Sequence, residues 1–147
     1  MKNLLPIAIV ALVTCSPAAA EGTDVRDSLR PQNIRSVQIT LNSGGAQLGF
    51  ETELSGGDPR ILALVAVIRE AETRGGHKCP NAGAIRFRME DGSVVGVGLL
   101  PSHTAGAYEL RLYDGDEYLT AYRVDRAALL AALEQIGVPT DDYAFRE

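Results

Sequence analysis

The stretch Gly75-Gly76-His77-Lys78-Cys79-Pro80-Asn81-Ala82-Gly83 concentrates the reactive side chains of this sequence. It holds one of the chain's 2 histidines and one of its 2 cysteines. The other histidine, His103, lies in the segment Pro101 to Gly106. A thiolate with two imidazoles is a donor set for copper or zinc, and three ligands leave a position open. His77, Cys79 and His103 are therefore the candidate metal ligands. The same cysteine, beside the basic His77 and Lys78, also reads as a reactive or intermolecular thiol. The ordinary alternative is a small buried hydrophobe.

A second constellation is built from Arg86, Arg88 and Arg111, with Gly96, Gly98 and Tyr113 nearby. Arginine and tyrosine are common anchors of protein interfaces, and glycines on a strand leave the backbone open to close approach. The residues Arg86, Arg88, Gly96, Gly98 and Arg111 are the candidate partner-binding set. The competing reading is a solvated face whose charge Glu90 and Glu109 balance. A third group, Asp114, Asp116 and Glu117, suggests calcium but lacks EF-hand spacing, and Asp114-Gly115 is first of all a turn signal.

Chemistry that needs a fixed motif is missing. The sequence has no Cys-x-x-Cys, no His-Glu-x-x-His and no phosphate-binding glycine loop. Gly92-Ser93-Val94-Val95-Gly96 places its serine in a hairpin turn, whereas a nucleophile elbow joins a strand to a helix. These absences favour a protein without enzymatic activity and without a cofactor. A hydrolase remains the alternative that a buried His103 beside a carboxylate would support.

The elements that must position these groups follow from periodicity. Val37, Ile39 and Leu41 alternate with polar residues, and Ala46, Leu48, Phe50, Thr52 and Leu54 supply a facing register, so residues 36–54 form a hairpin. Asp58-Pro59 starts a helix, Ile61, Leu64, Val65, Ile68 and Ala71 recur at helical spacing, and Gly75 is a C-cap, which predicts a helix over 59–74. Four strands follow, near 84–90, 94–100, 108–113 and 117–124, the last in an undecided register.

At Asp91-Gly92 the register can be argued. A two-residue loop would set Val95 and Val97 opposite arginines. A three-residue loop with Gly92 left-handed sets them opposite Phe87 and Ile85, and so keeps apolar side chains on one face. That choice puts Gly96 and Gly98 on the arginine face. It also brings the segments 75–83 and 101–106 to one end of the sheet, where His103 can approach His77 and Cys79.

A final helix begins with Asp125 as N-cap, carries Leu129, Leu130, Leu133 and Ile136 on its buried side, and ends at Gly137-Val138-Pro139. Val124 and Leu129 occupy hydrophobic-staple positions. The order ββαββββα, with an antiparallel sheet packed by two helices, defines a two-layer α+β domain. A helix followed by a four-stranded meander is similar to the unit of some small exported inhibitor and assembly-factor domains. This is a likeness of architecture that carries no shared motif.

The N-terminus supplies an address. Lys2, the apolar run from Leu4 to Val13, and Ser16-Pro17-Ala18-Ala19-Ala20 match a signal peptide over residues 1–20. Leu12-Val13-Thr14-Cys15 resembles a lipobox, with Thr14 departing from the usual small residue, so Cys15 is a candidate lipidation site. The expected division is then a flexible leader over 21–33, one domain over 34–138, and a frayed tail over 139–147. Loss of residues 1–20 leaves 13 basic and 19 acidic residues, a net −6.

That balance argues against nucleic acid as a partner. The reading that results is a small exported α+β domain, periplasmic or secreted, or lipid-anchored through Cys15. It would act as a binding, inhibitor or accessory module of the cell envelope, with a protein or another envelope macromolecule as partner. Contact with the membrane would come only through the anchor. The alternatives are a periplasmic copper- or zinc-binding protein and a hydrolase.

Overall fold

Two periodicities, 2 in the strands and 3.6 in the helices, sort the apolar residues onto one side of a sheet. A computed structural model describes residues 24–42, 48–74, 79–100 and 104–145. They form α1 Val25–Ser28, β1 Ile34–Asn42, β2 Leu48–Ser55, α2 Ile61–Arg69, β3 Glu72–Arg74, β4 Gly83–Met89, β5 Val94–Leu100, β6 Ala107–Asp114, β7 Glu117–Asp125 and α3 Arg126–Ile136. The strands make one antiparallel sheet in the order β2-β1-β4-β5-β6-β7-β3. The domain is a two-layer α+β structure, as the sequence predicts.

Val37 and Ile39 on β1, Ile85 and Phe87 on β4, Val97 on β5, and Leu110 and Leu112 on β6 are buried on one face of the sheet. Ile61, Leu64 and Ile68 of α2, and Leu129 and Leu133 of α3, join them in the same core. The expected register holds at both argued positions. Val95 pairs with Phe87 and Val97 with Ile85, and Gly92 has φ 88°. On β2, Phe50, Thr52 and Leu54 face Leu41, Ile39 and Val37. The undecided strand is settled by a bulge: Thr120 pairs with Leu112, Tyr118 pairs with Tyr113, and Leu119 is left over.

α3 starts and stops as its caps dictate. Asp125 accepts a hydrogen bond from the Ala128 amide at 2.8 Å, and Gly137 adopts φ 93°. Its buried stripe runs through Leu129, Ala132, Leu133 and Ile136, with Leu130 only partly buried.

Three expected boundaries differ. The helix predicted over 59–74 spans only Ile61–Arg69. Asp58 does accept the Arg60 amide at 2.9 Å, but in a turn ahead of the helix. Beyond Ala71 the chain becomes β3 and pairs with Arg123, Tyr122 and Ala121 of β7, so backbone groups at the edge of β7 are satisfied by another strand. The Arg74 guanidinium then reaches the Glu109 carboxylate at 2.6 Å, which fixes the strand in place.

Where a flexible leader was expected, residues 24–33 are tied down. The side chain of Leu29 is fully buried. Arg26 pairs with Asp24 at 2.6 Å, lies 4.3 Å over the Tyr122 ring and donates to the Ala71 carbonyl. The Arg26 hydrogen bond holds the Asp24 carboxyl below its ordinary value.

The tail expected to fray instead closes one end of the core. Ala144 and Phe145 are buried, the Tyr108 hydroxyl donates to the Ala144 carbonyl at 2.7 Å, and Arg126 donates to the Phe145 carbonyl. Burial pushes the Tyr108 hydroxyl above its ordinary range. The predicted signal peptide, Cys15 and the hairpin turn at 43–47 lie outside the described residues.

Candidate functional site

Helices cover one face of the sheet. The opposite face is set by the alternate residues of the same strands. Across its middle runs the row Gln38, Arg86, Gly96, Tyr113 and Tyr118, one residue from each of β1, β4, β5, β6 and β7. The next row is Thr40, Ala84, Gly98, Arg111, Ala121 and Arg74. All five residues of the predicted contact set therefore share one face. Arg86 and Arg88 are exposed, Arg111 is half-buried, and Gly98 is buried.

Small residues make a trough here. Ala84, Gly96 and Gly98 form its floor, with Arg86 on one side and Asn81 and Tyr113 on the other, enclosing about 240 Å³. Each glycine has a local reason. A Cβ on Gly96 would meet the Tyr113 Cβ at 3.3 Å. On Gly98 it would fall 2.6 Å from the Asn81 amide nitrogen. The close approach expected at Gly98 is thus made by the chain's own Asn81, which leaves Gly96 as the more open floor position. The Asn81 side chain makes a long contact, 3.4 Å, with the Tyr113 hydroxyl, and its Oδ1 is buried with no hydrogen-bond partner among the described residues. Tyr113 is braced by Tyr118, whose ring centroid lies 5.8 Å away in an edge-on arrangement.

Beside Arg86, Arg88 borders a second, broader groove of about 640 Å³ with Arg35, Ser36, Glu53 and Val94. Arg35, Arg86 and Arg88 have no carboxylate partner within ion-pair distance among the described residues. Three guanidinium groups accordingly present charge-assisted donors in a fork geometry suited to carboxylates and other oxyanions.

The far end of the same face is different. Glu109, expected to balance charge on a solvated surface, is only 1% exposed and paired with Arg74, and its strand neighbours are Leu100 and Arg123. It closes an internal ion pair instead of tempering the exposed arginines. Glu90 stands exposed at the β4–β5 turn.

The other candidates are not assembled by the described residues. His77 and His103 lie outside them, and Cys79 is half-buried. Asp114, Asp116 and Glu117 are exposed around Gly115 at the β6–β7 turn. Among the described residues no three His, Cys, Asp or Glu side chains converge as metal ligands, and no helix is long and apolar enough to cross a membrane.

Sequence reasoning missed Asn81 and Arg74 as parts of this face. Asn81 was visible only as a member of an unusual loop. Arg74 was hidden by its assignment to a helix. Comparison of the chain with protein-family models, curated proteins and solved structures gives no match.

Proposed function

We propose that the protein is a small exported, non-enzymatic binding module of the cell envelope, an inhibitor or accessory factor whose contact surface is the helix-free face of its sheet. The observation that carries this reading is the exposure of Arg86 and Arg88 on that face without carboxylate partners among the described residues. In a molecule of net charge −5, such a local concentration of guanidinium groups gives a partner an oriented, oppositely charged landing site. Tyr113, braced by Tyr118 beside the Gly96 floor, adds a half-buried amphipathic ring of the kind enriched at interfaces.

The test is capture of partners from envelope fractions by the wild-type chain and by an Arg86→Glu/Arg88→Glu double variant. Both side chains point into solvent, so the variant should fold with an unchanged circular dichroism spectrum. It should lose the partner that the wild type retains. If every partner stays bound to the folded variant, this surface is not the contact site.

A further inference from the structure

Among the described residues the sheet ends at β2. β2 is eight residues long and, among the described residues, has only β1 as a neighbouring strand. Outside that pairing, the one backbone hydrogen bond recorded within β2 among the described residues is the Ser55 carbonyl accepting from Asp58. In an antiparallel edge strand, alternate residues direct their N–H and C=O groups outward, ready for another strand. The opposite edge of the sheet is blunted by the brevity of β3, three residues. β2 has neither that brevity nor a proline or lysine.

What guards β2 is charge of one sign on one face. Glu51 and Glu53 stand exposed on the helix-free face, opposite Thr40 and Gln38. Gln38 donates to Glu51 at 2.6 Å and holds it upright there. On the helix face, Phe50 and Thr52 are half-buried and Leu54 is buried. Side chains directly opposite in an antiparallel pair share a face, and like charges facing one another repel. A second copy adding β2 to β2 would set carboxylate against carboxylate. A strand with cationic side chains on that face would convert both guards into attractive pairs, and its intervening apolar side chains would extend the core beside Phe50 and Thr52.

We infer that β2 is a strand-addition site for another polypeptide, one that supplies an extended segment with Lys or Arg at alternate positions and apolar residues between them. The site shares the helix-free face with the arginines but differs from them in using the backbone edge of the sheet and the opposite sign of charge.

The probe is a hexapeptide alternating lysine and valine, titrated against the full chain with amide hydrogen exchange as readout. Binding should slow exchange at alternate β2 amides by about tenfold or more at saturation. A glutamate–valine peptide should give no protection. Glu51→Lys/Glu53→Lys should weaken the lysine peptide by about tenfold or more, and Arg86→Glu/Arg88→Glu should leave its binding and the β2 protection in place. Equal binding of the N-methylated lysine peptide, which lacks the main-chain donors, would overturn the inference by showing attraction of charge alone. Protection confined to residues outside β2, or self-association of the chain through β2, would overturn it as well.

Discussion

At Gly98, what is missing from the side chain decides what the neighbourhood can hold. Asn81 occupies the place a Cβ would take, so Gly98→Ala must push the amide away or shift β5. Overpacking of this kind typically costs about 1–3 kcal/mol. Most of that loss should return when Asn81→Gly is added, an interaction that a double-mutant cycle by urea unfolding reads directly.

Asp24 makes a second prediction. Its carboxyl titrates below 3.8 in the folded chain because Arg26 hydrogen-bonds the charged form. Its stabilisation is therefore complete above pH 3.8 and is lost as pH falls through the lower, folded value. Asp24→Asn should lower stability at neutral pH and make the decline below about pH 4 shallower, as followed by thermal unfolding across pH. An unchanged acid slope would place Asp24 outside this linkage. At this scale the sequence revealed which residues share a face, because alternation is local. It did not reveal the Asn81–Gly98 contact or the Arg74–Glu109 pair, each made across many residues of chain.

Elements with strong local signals formed as read. Asp125 and Gly137 bound α3, and the left-handed Gly92 sets the β4–β5 register that places Arg86 opposite Gly96. Helix α2 shows where local signals stop. Its apolar spacing continues to Ala71, but a three-residue strand there completes the sheet edge, and that edge belongs to β7, some fifty residues later. The leader and tail were misread for a related reason: few apolar residues in a polar segment look expendable until their cavity is known. Phe145 is the clearest case. It is 1% exposed and its ring lies 5.7 Å from that of Tyr108. Phe145→Ala should cost about 3–5 kcal/mol, the usual effect of truncating a buried aromatic. A loss under about 1 kcal/mol, the scale of a surface substitution, would mean that the tail is not part of the core.

For the molecule as a whole, helices on one side leave a sheet face whose centre is a glycine-floored trough, with Arg86 and Arg88 exposed on β4 and Glu51 and Glu53 exposed toward the β2 edge. Composition alone points the other way, to an acidic surface. Only the register sets Arg86 and Arg88 side by side on one face, where neither makes an ion pair among the described residues. The most direct measurement places a photo-crosslinking residue in turn at position 86, position 88 and position 62. Leu62 is 51% exposed on α2, on the other side of the molecule. Irradiation in cells that express the chain should give one dominant adduct from positions 86 and 88 and none of that mass from position 62. A dominant adduct from position 62 that is absent from both arginine positions would contradict the assignment of the helix-free face as the binding surface.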